Sequence, residues 1–309
     1  MIDFLRYKWL YFLISFLIIG SGIFSIIKWG YRYSIDFVGG TNLEYQFDRP
    51  LSKNDLLSVF KKEQIEVVKL EMINNLMLAR TKPIDEIQEK RLENQIISSL
   101  NTRVTLLKFE TVGPSIGKET MFKTGLAAII AIFGILLYMS YAFSDLKFAV
   151  AAIIANLHDL LVILGSYSLM SHFWGAEIDT MFVTAVLTTM SFSLHDTIVI
   201  FDKIREYYKE MGQGSLQYYA NLALTETMVR SINNSMTIVF MLLALTLMGG
   251  NTIRFFVATL LVGTITGTYS SPFVATPVLV WLKEIHEGKK SKRGDFYGSK
   301  NIYRRTTAN

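Results

Sequence analysis

Long apolar runs alternate along this chain with stretches of ordinary mixed polarity. The runs lie near residues 9–27, 122–141, 148–170, 181–201, 235–248 (extended a few residues each way) and 255–282. Each is near the ~20 apolar residues that carry a helix across the hydrocarbon core. They predict six transmembrane helices, the fifth being short and closely bracketed by Arg230 and Asn251. The first run follows Arg6 and Lys8. It is long for a signal peptide, and no small-x-small cleavage site follows it, so it reads as a retained span.

Between the first two runs the period changes. Residues 35–47 read as a strand, with Asn42, Glu44 and Gln46 alternating with Leu43, Tyr45 and Phe47. Ser52 with Asp55 three residues on resembles a capping box and opens a helix to about Gln64. Residues 66–73 and 76–80 read as paired strands about an Asn74-Asn75 turn. Pro83 fits the first turn of a helix reaching Leu100, and residues 104–112 form a last strand. The predicted order is β-α-β-β-α-β, the ferredoxin-like arrangement. The expected fold class is an α-helical integral membrane protein of six transmembrane helices, with one extracytoplasmic α+β domain between helices 1 and 2. The expected domains are residues 1–30 (N-terminus and first span), 31–118 (outer domain), 119–282 (remaining spans) and 283–309 (basic tail).

Composition narrows the function classes. Of 309 residues, 51% are hydrophobic and 18% charged, below the ~25% charge of soluble domains. The net charge of +5 comes from basic residues that flank the spans, which fits membrane topology and lipid contact rather than nucleic acid. With no cysteine, disulfides, thiolate metal sites and cysteine nucleophiles are excluded. Arg6 and Lys8, the link carrying Lys203, Arg205, Lys209 and Arg230, and the tail from Lys283 to Arg305 fall on one side of an even number of spans. That side is expected to be cytoplasmic, with both termini on it. The opposite links, 171–179 and 249–254, hold only Arg254.

Three groups of polar residues interrupt the spans, where each charge costs about 2.5–3.5 kcal/mol on insertion scales. Asn156, His158 and Asp159 lie in the third span, with Asn156 and Asp159 on one helix face. They read equally as a functional site or as a structural contact to a neighbouring helix. Ser191, Ser193, His195 and Asp196 lie in the fourth, which Asp202 closes. A carboxylate withdrawn from water favours its protonated form, as a proton carrier needs. The bland alternative is a helix that ends early and leaves Asp196 wet. Arg230, Asn233, Asn234 and Thr237 form a polar stripe leading into the fifth span. This stripe reads equally as part of that span or as an amphipathic helix on the membrane surface. Gly39-Gly40 lacks the context of a phosphate loop, and no metal-ligand spacing or placed nucleophile is evident.

Five ordered motifs carry a family resemblance. They are Ser34-Ile35-Asp36-Phe37-Val38-Gly39-Gly40-Thr41, Val112-Gly113-Pro114-Ser115-Ile116-Gly117 with Glu119, Leu157-His158-Asp159, the run from Asp196 through Asp202 and Arg205 to Glu206, and Gly267-Thr268-Tyr269-Ser270-Ser271-Pro272. The chain resembles the SecF side of the SecD/SecF protein-export family, within the RND superfamily, over nearly its whole length. The resemblance implies a non-enzymatic subunit of the bacterial inner membrane. It would use the proton-motive force to assist translocation through the SecYEG channel and release of exported preproteins on the outer side. It implies no cofactor and no metal, coupling to H+ with Na+ as the alternative ion, and SecD as the partner that supplies a second intramembrane carboxylate. The family's intramembrane carboxylate falls on Asp196 and its arginine on Arg230, close in space. His195 stands where the family has Asn, which sets a titratable ring beside the carboxylate. The expected mechanism has Asp196 load a proton from outside and release it inward. The linkers 113–117 and 27–30 would pass the change to the outer domain. The competing readings are a subunit of a proton-coupled small-molecule transporter, a passive translocon scaffold, and an intramembrane hydrolase, for which no nucleophile with a placed base is seen.

Overall fold

The computed structural model describes residues 3–143, 145–212 and 214–285. The basic tail beyond residue 285 lies outside the described residues. In chain order the elements are α1 (Lys8–Trp29), β1 (Arg32–Tyr33), α2 (Ile35–Val38), β2 (Gly40–Phe47), α3 (Lys53–Lys62), β3 (Val67–Ile73), β4 (Leu76–Thr81), α4 (Glu86–Leu100), β5 (Val104–Val112), α5 (Pro114–Ala142), α6 (Leu146–Trp174), β6 (Glu177–Ile178), α7 (Thr180–Glu210), α8 (Leu216–Met248) and α9 (Asn251–Ser270). A π-helical turn, Ser271–Ala275, follows α9, and the helix resumes to residue 285.

Among the described residues six helical stretches are long and apolar enough to cross a membrane: Phe4–Trp29, Pro114–Ala142, Leu146–Trp174, Thr180–Glu210, Leu216–Met248 and Thr252–Ile285. They match the six expected spans but run longer. The fifth is not short, because the polar stripe at 230–237 and the apolar run after it form one continuous helix, α8. The second begins at Pro114, whose fixed φ suits a first helical position. Most of the expected 113–117 linker is therefore helix.

The chain divides into two compact units. In the helical unit, the buried face of α1 is made of its small residues, Ser15, Gly22 and Ser25, while its large apolar residues point outward. That inversion is how membrane helices approach closely. A Cβ on Gly22 would lie 2.7 Å from the Cα of Gly165 in α6, so the two backbones touch there. Below this contact the hydroxyls of Ser25 and Ser168 lie 2.8 Å apart, and Ser168 donates to the Gly30 carbonyl at 2.9 Å.

The second unit comprises Arg32–Ile129 and Glu177–Val183. Its antiparallel sheet has the order β3-β4-β2-β5. Leu43, Tyr45 and Phe47 of β2 pack on Leu56, Val59 and Phe60 of α3 and Leu92 and Ile96 of α4. The opposite face carries Asn42, Glu44, Lys69, Glu71 and Arg80, as strand alternation requires. Inside the core Tyr45 donates to the buried Glu89 at 2.7 Å. Burial and that bond push the Tyr45 phenol well above its usual range.

Three local expectations are corrected. Residues 35–38 form a helical turn capped by Ser34, and the strand starts at Gly40. Gly39 and Gly40 at φ 78° and 137° make that break, a backbone region glycine enters without penalty. Ser52 caps α3 through the Asn54 amide alone, with no box. The capping box instead opens α4, where Asp85 and Gln88 bond reciprocally, and Pro83 precedes the helix.

The link between the third and fourth spans belongs to this second unit. β6 pairs in parallel with β1, Arg32 opposite Glu177 and Tyr33 opposite Ile178. Arg80 of β4 meets the Glu177 carboxylate at 2.9 Å and donates to the Tyr33 carbonyl at 2.9 Å. Asp179 caps α7 through the Phe182 amide at 2.7 Å. Burial holds the carboxyls of both Glu177 and Asp179 above the usual carboxylate range, and in Glu177 it outweighs the pull of Arg80. A carboxyl raised in this way contributes stability at acid pH that is lost as the pH rises through its folded value. The prediction is asymmetric. Arg80→Ala lowers stability by about 1–2 kcal/mol, between the values for exposed and buried pairs. Glu177→Gln leaves it unchanged or raises it near neutral pH. Thermal unfolding of the purified protein checks both. A loss on Glu177→Gln equal to that on Arg80→Ala would show that attraction, not desolvation, dominates.

Candidate intramembrane polar site

α6 brings His158 and Asp159 inward, and both are buried. Asp159 is 1% exposed and its carboxylate is fully partnered. Oδ1 lies 2.9 Å from His158 Nδ1. Oδ2 accepts from the Ser193 hydroxyl of α7 and, at 2.7 Å, from the Ser270 hydroxyl at the end of α9. On the other side of the ring, His158 Nε2 lies 3.0 Å from Ser15 Oγ of α1. Ser15 Oγ is 3.4 Å from the Tyr269 hydroxyl, which donates to the Tyr11 carbonyl at 2.9 Å. Four helices thus meet on one carboxylate–imidazole pair.

Small residues permit this meeting. A Cβ on Gly263 would lie 2.3 Å from Thr189 Cγ2, and one on Gly267 2.8 Å from Ser193 Cβ. The four-residue spacing of these glycines lets the last span press against α7. Just beyond, Pro272 falls in the π-helical turn, which shifts the register of the helix as it leaves Ser270 and Ser271. Ser271 lies 2.8 Å from Thr197 Oγ1 and can also donate to the Gly267 carbonyl at 3.1 Å.

Asp196 follows Ser193 by three residues, so it shares the inward face of α7 and is 6% exposed. α7 continues to Glu210, which removes the alternative of a helix ending early. Asp196 has no hydrogen-bond or ion-pair partner among the described residues. His195 is exposed. Arg230 is also exposed and makes no hydrogen bond or ion pair among the described residues, so the expected approach to Asp196 is not made by contact within this chain. Asn233 and Thr237 are exposed on α8, and the Thr237 hydroxyl bonds back to the Asn233 carbonyl at 3.0 Å. Asn156 is buried, with neither side-chain amide atom partnered.

The remaining motif residues are architectural. Thr41 is buried, donates to the Thr111 hydroxyl at 2.9 Å and accepts from the Ile84 amide at 3.0 Å. A Cβ on Gly39 would sit 2.8 Å from the Pro114 Cα, and one on Gly117 2.8 Å from the Gly39 nitrogen. The segments 36–41 and 113–117 therefore close on each other backbone to backbone, with Asp36 on the capped turn before them. Asp202 and Arg205 form a surface pair at 3.4 Å.

Ser15, Tyr269 and Ser270 escape a residue-by-residue reading as site residues. A signal for Ser15 was present, since Ser15, Gly22 and Ser25 recur at intervals of seven and three along the first span. No metal-binding group of His, Cys, Asp and Glu occurs among the described residues.

Comparison with known proteins agrees with these motifs. The family model "Protein export membrane protein SecD/SecF, C-terminal" matches residues 92–285, and the "SecD/SecF GG Motif" model matches residues 32–51. The chain is 37% identical to protein translocase subunit SecF of Thermobaculum terrenum, over 91% of this chain and 93% of that one. It is 32% identical to the SecF subunit of Vibrio alginolyticus, over 91% and 90%. The crystal structure of SecDF, a translocon-associated membrane protein from Thermus thermophilus, superposes with a TM-score of 0.78 at 29% identity. That match covers 92% of this chain and 39% of the SecDF chain, so this chain spans well under half of its structural relative.

The close approach at Gly267 is open to test. Gly267→Ala forces its Cβ onto Ser193 and costs about 1–3 kcal/mol by overpacking, read as a lower thermal-unfolding midpoint. Gly125→Ala in α5, where nothing lies within 4 Å, leaves the midpoint in place. Equal behaviour of the two variants would remove the contact from the account.

Proposed function

The chain belongs to the SecD/SecF family of protein-export membrane proteins, and we propose from that premise that it acts as the SecF-type half of a proton-driven export machine. The observation that carries this reading is Asp196, a buried carboxylate on a spanning helix with no partner of its own among the described residues. An ionisable group in that position is expensive to bury and is expected to take part in ion movement or to be answered by another chain.

Asp196 loads a proton from the outer side and releases it inward. Arg230, exposed on α8, answers its charge when SecD is bound and the outer faces of the helices are covered. SecD supplies the second intramembrane carboxylate and completes the bundle. One charge moving through 100 mV releases about 2.3 kcal/mol, so substantial work on an exported chain takes several cycles. H+ is the coupling ion, with Na+ as the alternative.

The unit built on the β3-β4-β2-β5 sheet is ferredoxin-like in its element order and lies outside the cytoplasm. Basic residues at the N-terminus and in the α7–α8 link support that orientation for a bacterial inner-membrane protein. This unit moves against a preprotein emerging from SecYEG. The chain passes between the two units at four places, 31–32, 129–130, 176–177 and 183–184, where two linkers were expected from sequence. Within this unit Asp36–Thr41 and Gly113–Gly117 pack backbone to backbone.

The proposal separates from a passive scaffold at one residue. Asp196→Asn preserves co-purification with SecD but abolishes the stimulation of preprotein translocation by a proton gradient in membrane vesicles. Full stimulation in this variant would sink the assignment. A second measurement addresses His195. His195→Asn shifts the pH at which stimulation is half-maximal, because a titratable ring leaves the neighbourhood of the carboxylate. An unshifted profile would make His195 a packing residue.

A further inference from the structure

The chain of hydroxyls around His158 carries information about protons. The Tyr269 hydroxyl donates to the Tyr11 carbonyl, which can only accept. Toward Ser15, 3.4 Å away, Tyr269 can therefore only accept. That leaves the Ser15 proton two acceptors, the Tyr269 oxygen or His158 Nε2 at 3.0 Å. On the far side of the ring, Asp159 Oδ1 and His158 Nδ1 share one proton across 2.9 Å.

Two complete protonation states follow on the same heavy-atom positions. In the loaded state both ring nitrogens carry a proton and Asp159 is ionised. Nε2 donates to Ser15, and Ser15 donates to Tyr269. The pair is neutral overall, which suits a site inside hydrocarbon. In the unloaded state Nε2 has lost its proton and Ser15 has turned its hydroxyl to donate to the ring. The carboxylate keeps its bonds from Ser193 and Ser270 in both states. One proton on Nε2 and the rotation of one hydroxyl separate them.

The surroundings add two facts. The titratable or polar groups facing the pair are Ser15 and the Tyr11 carbonyl from α1, Ser193 from α7, whose helix carries Asp196 one turn on, and Ser270 and Tyr269 from α9. Among the described residues no Lys or Arg pairs with Asp159, so nothing fixes its charge permanently. His158 also borders a cavity of about 210 Å³ with Ile14, Ile18, Val162, Ile265 and Tyr269. Thr266 completes this lining, which is apolar apart from His158, Thr266 and Tyr269.

We propose that His158 and Asp159 form a second proton-holding site, loaded and unloaded at His158 Nε2, with the Ser15 hydroxyl as the rotor that accommodates the change of charge. The site is separate from Asp196 and stands whether or not Asp196 couples to export. It gives this chain two places to hold a proton on adjacent helices. Asp159 and Ser15 are positioning residues for the proton that moves.

Proton uptake by the full chain, purified in its membrane complex, tests this directly. A pH indicator counts the protons bound as the sample is acidified from about pH 8 to about pH 5. Asp159→Asn takes up one proton fewer than the parent, and does so equally in an Asp196→Asn background, which separates this site from the export site. Tyr269→Phe keeps the pair but removes the alternative acceptor for Ser15. Ser15 then favours donation to the ring, and uptake moves to lower pH. Unchanged uptake in Asp159→Asn overturns the proposal. Should Asp159→Asn fail to assemble, Tyr269→Phe decides alone, since it removes one hydroxyl at the edge of the network, and an unshifted curve overturns the proposal equally.

Discussion

A polar group on a spanning helix has no water to turn to, so it finds a partner in its own chain, in another chain, or nowhere. Many of the threonine hydroxyls on these spans take the first course in the simplest way. Thr188, Thr227, Thr246, Thr259 and Thr264 each bond to the carbonyl four residues back. Asp159 takes it in the most demanding way, gathering donors from its own helix and two others. Asp196 and Arg230 make no hydrogen bond or ion pair among the described residues.

Close helix approach is what makes the self-contained site possible. Gly22 against Gly165 sets α1 on α6, and Gly263 and Gly267 set the last span on α7. With larger side chains at those positions, Ser15, Ser193 and Ser270 could not reach the His158–Asp159 pair together. In lipid the apolar surface gives little drive for helices to associate, so packing of small residues and interhelical hydrogen bonds take over that role. The same substitution that loosens the packing therefore also strips the carboxylate of its donors.

Glycine acts differently in the second unit. Gly39 and Gly40 hold positive φ and turn the chain from a capped helical turn into β2, while Gly117 lets α5 start hard against that turn. A motif that invites a functional reading on sequence grounds is here a corner of the fold. The α6–α7 link joins this unit through β6 and Arg80.

The number of spans and their apolar runs were legible in the sequence because each depends on residues close together along the chain, whereas the helices run longer than those runs. So was the β-α-β-β-α-β element order, from alternation and turn residues. Local capping was less legible, since Ser52 and Asp85 both carry the right chemistry and geometry favoured the second. The inward face of Asp196 and Asp159 could be anticipated, but not that one would be saturated with donors and the other bare. Periodicity says which residues share a face. Which face meets which helix is set by packing between segments more than a hundred residues apart, as for Ser15 with His158 and Tyr269. Only the tertiary structure could decide those meetings, because the donors that settle a buried charge come from elsewhere in the chain.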